Sequence, residues 1–352
     1  MAQARFPWHR RSWGAWGGAS SPPHGTGNLA EITPTERLSN PPLKVLYIAG
    51  AGRSGSTLLD GVLGQLDGFF AAGELRYLWE RGLQESRLCG CGVAVRDCPT
   101  WRAVLASAFG PGVDANAAAR LQRKATRVRC APAMILSGRL GRRRSGRLGA
   151  VLGPLYQAIQ ESTGCRVLVD SSKLPSYGAL LEALPGVELY VLHLVRDPRA
   201  TAWSWLRRKR LTDTPAPRLM QRQPPGKSAA MWMVWNLTTA LLWSGGPRYL
   251  RLRYEDLVRR PEAAVRRIAG LVGESPAALP FPVPGRVALA PTHSVAGNPG
   301  RLDTGEVALR LDDEWSSRLR PRHKLLVTLA TWPLLLHYRY RVARRGGTIR
   351  WD

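Results

Sequence analysis

Gly50-Ala51-Gly52-Arg53-Ser54-Gly55-Ser56-Thr57 holds the densest candidate chemistry in the chain. Its three glycines let the backbone turn tightly and approach a ligand with no Cβ in the way. A helix beginning near Ser56 would aim its free N–H groups and positive dipole end into that turn. Such a turn suits an anion, above all a phosphate. The spacing G-x-x-x-x-G-S-T is that of a nucleotide phosphate loop, but Ser56 stands where an ATPase or kinase needs lysine on the β- and γ-phosphates. Arg53 brings the positive charge instead. A P-loop kinase therefore stays as an alternative with its main catalytic cation missing.

The elements that position this loop can be read from apolar runs. Val45 to Ala49 leads into it as a β-prone strand of the kind buried on both faces of a parallel sheet. Cys165 to Asp170 is a second such strand, followed by Ser171-Ser172-Lys173-Leu174-Pro175, and Leu189 to Arg196 is a third, running into Asp197-Pro198-Arg199. Tyr249 to Leu257 reads as a fourth. Ala229 to Trp243 is expected as a buried helix ended by Gly245-Gly246, and Pro261 to Val272 as a helix with proline at its start and Gly273 after its end. Strands alternating with helices predict a three-layer α/β fold, a P-loop NTPase-like parallel sheet with helices on both faces, with ligands held at the carboxyl edge. At that edge Arg196 offers a planar bidentate fork, and Ser204 lies two turns into the following helix, which makes a second anion site. Asp170 stands where a P-loop NTPase keeps its Walker B aspartate, a reading that is weak without a lysine in the loop. His193 is read as a core residue, and Trp232 and Trp235 as core or as the border of a base.

Arg53-Ser54-Gly55-Ser56-Thr57 resembles the R-S-G-[ST]-[ST] loop of sulfotransferases that use 3′-phosphoadenosine-5′-phosphosulfate (PAPS), closest in motif to their bacterial, Golgi carbohydrate and tyrosylprotein branch. The resemblance implies that Gly52, Arg53, Ser54, Gly55, Ser56 and Thr57 hold the 5′-phosphosulfate. Arg196-Asp-Pro-Arg199 with Ser204 resembles the family's 3′-phosphate motif. Arg253-Tyr254-Glu-Asp-Leu257 with Pro261-Glu262 resembles the segment whose tyrosine contacts the nucleotide, which gives Tyr254 that role. Thr292-His293 through Asn298-Pro-Gly-Arg301 is a looser match to the loop that closes over the 3′-phosphate, and carries the role to Asn298 and Arg301. In the tyrosylprotein branch a G-E segment at nearly the distance of Gly73-Glu74 from the loop carries the catalytic base, so Glu74 takes that role. The cytosolic branch has K-T-H-L-P where this chain has Ser171-Ser172-Lys173-Leu174-Pro175. Its histidine base is absent here, and Lys173 is suited to neutralising the departing phosphate. Asp170 and His293 are the next candidates for the base. The resemblance thus implies in-line, metal-independent transfer of a sulfuryl group, with PAPS as co-substrate, to a hydroxyl of a small-molecule, carbohydrate or lipid acceptor.

Residues 1–41 are expected to be a disordered basic leader, 42–345 the catalytic domain, about 80–160 a helical cap that shapes the acceptor pocket, and 346–352 a tail. The cap contains a basic run, Arg139 to Arg147. Cys89, Cys91 and Cys98 supply three thiols where structural zinc wants four ligands. The reading is ordinary buried or paired thiols, dispensable for chemistry and with no metal expected, and zinc is the alternative. Five cysteines at uneven spacing argue for a reducing compartment, here taken as cytoplasmic. The balance of 51 Lys+Arg against 25 Asp+Glu gives a net charge of +26. Nearly all of the excess is arginine, as a GC-rich coding sequence also produces, and no nucleic-acid-binding signature accompanies it. Nucleic acid is therefore not expected as a partner, while peripheral contact of the basic surface with an anionic membrane stays open. The longest apolar stretches, Ala229 to Trp243 and Leu325 to Leu336, fall short of the roughly 20 residues that span a bilayer.

Overall fold

In the computed structural model, which describes residues 41–126 and 140–342, every strand of the central sheet ends at a residue of chemical interest. The strands are β1 (Leu43–Ala49), β2 (Phe69–Gly73), β3 (Val167–Lys173), β4 (Val187–Val195) and, after the antiparallel ribbon β5 (Arg210–Leu211) and β6 (Arg218–Leu219), β7 (Tyr249–Arg253). Their order is β2-β3-β1-β4-β7, all pairs parallel. Ala49 of β1 is in register with Lys173 of β3 and His193 of β4. Gly50, Glu74, Lys173, Arg196 and Tyr254 therefore emerge side by side at the carboxyl edge, where a parallel α/β sheet binds ligands.

Alternation along β1 explains the layers. Val45 and Tyr47 face a core built with Trp101, Tyr156, Ile159 and Tyr177, whereas Leu46 and Ile48 face Leu59, Leu63, Val265 and Ile268 on the other side. Helices Ser56–Leu63 and Pro261–Leu271 cover the second face, and Pro175–Glu182 lies on the first. The cap contributes helices Pro99–Phe109, Ala115–Ala125 and Leu140–Thr163, of which the first two pack on the third. β8 (Arg286–Leu289) and β9 (Gly305–Ala308) form a second ribbon. The leader, the tail and part of the basic run Arg139–Arg147 lie outside the described residues.

Two expectations are corrected and one strand is added. The strand beginning at Tyr249 stops at Arg253, and Tyr254 opens a helix to Arg259, whose first turn carries Glu255 and Asp256, acids that favour a helix N-terminus. Phe69–Gly73, which the apolar runs do not mark as a strand, is the edge strand β2. Helix Pro225–Trp243 starts earlier than expected and is not fully buried, since Val234, Leu237 and Leu241 are exposed along one stripe. It packs against helix Pro321–His337, which runs through Pro333 and exposes Leu325, Leu329, Trp332 and Leu336, again one helical stripe. Among the described residues no helix is long and apolar enough to cross a membrane.

Candidate active site

The loop after β1 folds around glycines, of which Gly50 and Gly55 hold a positive φ and meet neighbouring atoms too closely for a Cβ. Gly55 has φ +92°, and a Cβ there would overlap the ring of Tyr254, so the tyrosine lies flat against the loop backbone. A Cβ at Gly52 would come within 3.1 Å of Trp205 Cζ2. Between them Arg53 adopts φ +68°, a left-handed conformation costly for any residue with a Cβ. Its guanidinium stacks 4.6 Å from the Trp205 ring centroid and approaches the Met220 sulfur. Burial pushes its pKa down, opposed by Glu74 and reinforced by Arg207 and Arg81. Ser54 is buried with its hydroxyl unpartnered, and helix Ser56–Leu63 begins at once, its first N–H groups facing the turn.

Lys173 joins three parts of the site. Its Nζ lies 2.6 Å from Glu74 Oε1, 3.2 Å from Ser56 Oγ and 3.0 Å from the Ser171 carbonyl, and all three residue side chains of this unit are buried. Lys173 is held at φ +68°, the second non-glycine residue of the site in the left-handed region. Burial alone would raise the Glu74 pKa, but Lys173 and Arg81, with Arg76 behind them, outweigh it and hold the carboxyl below its ordinary value. The cations around it therefore hold the carboxyl in its ionised form.

The second anion site is built by the Arg196-Asp197-Pro198-Arg199 turn. Asp197 caps helix Pro198–Leu206 by accepting from the Arg199 N–H at 2.8 Å, and Arg199 returns a 2.7 Å ion pair to it. That leaves Arg196 to face the cavity. Its guanidinium lies 4.5 Å from the Tyr254 ring centroid and donates to the Arg53 carbonyl at 3.2 Å, while Trp232 Nε1 fixes its own carbonyl. Asp312 Oδ2 sits 3.1 Å from Arg196 and 2.7 Å from Arg207, and Arg196 Nε has no partner. Ser204 is buried on the next turns of the helix and lines the same cavity.

The segment 292–301 closes the remaining side. Gly73 and Val295 form a parallel bridge, the Glu74 N–H donates to the Val295 carbonyl at 2.7 Å, and the Asn298 N–H donates to Thr57 Oγ1 at 3.2 Å. Arg301 donates to the Leu88 carbonyl and to Asp213 Oδ2 at 3.0 Å, with Nε and Nη1 left unpartnered.

These elements enclose a cavity of about 760 Å³ lined by Gly52, Arg53, Gly55, Ser56, Thr57, Glu74, Lys173, Arg196, Ser204, Tyr254, Asn298 and Arg301. Of the site residues expected from sequence, Ser54 alone lies outside the lining, buried beneath the turn. The sequence reading missed the other cations around the cavity, Arg76, Arg81, Arg87, Arg207, Lys209 and Arg218, and the aromatic wall Trp205. Burial, then repulsion from Arg207 and Arg53, pushes the Lys209 ammonium pKa down, a sign of positive charge gathered for an anion. It also missed Asp60, whose burial next to Asp170 raises its pKa to about 8. Spacing along a loop-facing helix is a poor signal for such residues, because surface arginines share it. Asp170 itself is fully buried, accepts from Tyr156 and Ser172 at 2.5 Å each, and does not line the cavity. His193 is a core residue, between Tyr249 and Asn236, and burial drives its pKa to about 4. Trp235 lines the cavity, while Trp232 is core.

A profile of the sulfotransferase family matches residues 46–275, which takes in the loop, both strand-end cations and the Tyr254 segment. The chain belongs to the sulfotransferase family. No curated protein matches this sulfotransferase. Among solved structures, the sulfotransferase domain of the Synechococcus PCC 7002 olefin synthase aligns with TM-score 0.50 at 22% identity, over 86% of this chain and 96% of that one. The sulfotransferase domain from the curacin biosynthetic pathway aligns with TM-score 0.49 at 18% identity, over 86% and 99%. The first of these likenesses shows the shared fold.

Proposed function

We propose that this sulfotransferase takes PAPS as donor and moves its sulfuryl group in line to an acceptor hydroxyl. The observation that carries the reading is the Lys173 ammonium within hydrogen-bonding distance of both Glu74 and Ser56. One hydrogen-bonded unit thereby contains a base for the acceptor proton, a cation for the leaving oxygen and a hydroxyl of the phosphate loop. The chemistry of the cavity fits the donor, because unpartnered Arg53 Nε and Arg196 Nε and the crowded cations call for a ligand with several anionic groups.

In this reading Glu74 receives the hydroxyl proton as the acceptor oxygen bonds to sulfur and the bond from sulfur to the bridging phosphate oxygen breaks, its electron pair leaving with the 5′-phosphate. Proton arrival cancels the charge that restrains Lys173, which then turns to the departing oxygen. Arg53 and the N–H groups of the Ser56–Leu63 helix hold the 5′-group, and Arg196 and Ser204 hold the 3′-phosphate, with Tyr254 against the nucleotide. The positive charge in the cavity comes from side chains. A kinase reading is disfavoured by Ser56 in the place of the loop lysine and by Asp170 turned into the core.

The acceptor is a hydroxyl on a small molecule, carbohydrate or lipid. For a membrane-borne acceptor, the exposed stripe Leu325, Leu329, Trp332 and Leu336, flanked by Arg320, Arg322, Lys324 and Arg339, matches the chemistry of an anionic bilayer surface.

Calorimetry on the full chain with adenosine 3′,5′-bisphosphate, adenosine 5′-monophosphate and Mg²⁺-ATP tests the donor. The bisphosphate is expected to bind about tenfold or more tighter than the monophosphate without added Mg²⁺. Preferential binding of Mg²⁺-ATP, or salt-dependent binding of any polyanion with no nucleotide preference, would reject the reading.

A further inference from the structure

Three cysteines and a histidine meet on the flank of the site, and nothing in sulfuryl transfer uses them. Cys89, Cys91, Cys98 and His293 place one ligand atom each so that all four lie within 4.8 Å of one another. Cys91 Sγ is 3.8 Å from Cys98 Sγ, and His293 Nδ1 is 3.4 Å from Cys98 Sγ and 3.8 Å from Cys89 Sγ. A tetrahedral zinc with bonds of about 2.3 Å to sulfur and about 2.0–2.1 Å to nitrogen has S···S edges of about 3.8 Å and S···N edges of about 3.6 Å. These three separations lie within about 0.2 Å of those edges. The Cys91–Cys98 separation is too long for a disulfide, whose sulfurs lie about 2.05 Å apart.

The surroundings are those of a metal ligand set. His293 directs Nδ1 at the sulfurs while its other nitrogen, Nε2, lies 3.2 Å from Thr100 Oγ1, a hydroxyl able to accept from Nε2–H when Nδ1 serves as the ligand. Trp101 Nε1 holds the His293 carbonyl at 2.8 Å, and Phe70 stacks on the imidazole. Cys89 and Cys91 sit in a tight turn closed by the Leu88–Ala94 bridge and by the Gly92 N–H on the Cys89 carbonyl. Gly90 lets this turn dock, since a Cβ there would lie 2.6 Å from Ser294 Oγ and 2.7 Å from the Thr292 carbonyl.

We propose that Cys89, Cys91, Cys98 and His293 bind one zinc ion in a closed, structural Cys₃His site. The proposal reverses the expectation of spare thiols, and the reason lies in chain distance: the fourth ligand arrives 195 residues after Cys98. The ion would fasten the 88–98 turn to the 292–301 segment. That segment supports Glu74 through Val295, covers Thr57 through Asn298 and carries Arg301 to the Leu88 carbonyl. The metal therefore acts on the cavity through its wall and does not depend on the identity of the donor.

The test uses the full chain purified without chelator. Elemental analysis is expected to give one zinc per chain, and release of that zinc by a thiol-blocking mercurial should be stoichiometric. Replacing zinc by Co²⁺ under reducing conditions should give the intense visible bands of tetrahedral cobalt with a sulfur charge-transfer band. Cys91→Ser and His293→Ala should lose the ion, whereas His293→Cys should keep it with a stronger charge-transfer band. Should the ligand variants fail to fold, the cobalt spectrum of the unaltered chain decides. A folded chain that holds no zinc and gives no tetrahedral cobalt spectrum overturns the proposal, as does a Cys91–Cys98 disulfide in protein purified under argon.

Discussion

Replacing Glu74 by Gln keeps the side chain's length and its acceptor oxygen for Lys173 while removing the proton acceptor. Lys173 retains Ser171 and Ser56 as partners, so the fold loses the charge of one buried contact. That cost is about 1–3 kcal/mol, within the 5–15 kcal/mol of a typical domain. Turnover should fall by roughly 10²–10⁴-fold, or about 3–5 kcal/mol of barrier, with bisphosphate affinity nearly unchanged. The pH profile adds a sharper criterion. A base must be ionised, and Lys173 and Arg81 hold the Glu74 carboxyl below its ordinary pKa, so kcat/KM should stay flat as pH falls to about 4.3 and drop only below it. The other buried acids titrate elsewhere, Asp60 on the cavity lining near 8 and Asp170 behind it near 6. Stability follows the same sign: the Glu74–Lys173 pair stabilises the fold above about pH 4.3 and is lost as falling pH passes the lowered folded-state value. Single-turnover transfer from radiolabelled PAPS, with calorimetry beside it, measures both effects. Near-normal turnover in Glu74→Gln, or an acid limb of kcat/KM at pH 6–8 that the substitution leaves in place, would refute the assignment.

Arg196→Ala should weaken adenosine 3′,5′-bisphosphate by about 1.5–3 kcal/mol and the 5′-monophosphate far less, and equal losses in calorimetry would reject the 3′-phosphate role. Gly55→Ala is expected to abolish binding of both nucleotides while the central sheet folds, because its Cβ drives Tyr254 off the loop at a φ only glycine adopts freely; unchanged affinity would show that the ring need not lie there. Leu329→Asp should reduce co-sedimentation with phosphatidylglycerol vesicles, and the parent chain should bind phosphatidylcholine vesicles weakly; no binding to either rejects a membrane-facing stripe.

Much of the carboxyl edge was legible because it is local. Gly50 to Thr57, Lys173 and Arg196 each follow an apolar run within one segment, so strand, turn and ligand can be read together. Glu74 needed the family resemblance, since Phe69 to Gly73 is too short a run to announce an edge strand. What stayed hidden depends on contacts between distant segments. Nothing near Cys98 points to His293, and nothing near Arg196 points to Asp312, which meets it only after the chain returns past the last ribbon. The exposed leucines of Pro225–Trp243 were misread as core because apolar composition does not say which stripe of a helix finds a partner.

Arg53 and Lys173 share a property that bears on how this protein can change. Each is a side-chain-bearing residue in the left-handed region, where an L-residue loses roughly 1–2 kcal/mol that glycine would not. Glycine at either position would relax the backbone and remove a cation from the cavity at the same stroke. At 173 that relief is outweighed, because glycine would strip the buried Glu74 carboxyl of its Lys173 partner, a loss larger than the strain it removes. The strain at 173 is thus tied to the ion pair it positions, and the strain at 53 to the stacking of Arg53 on Trp205.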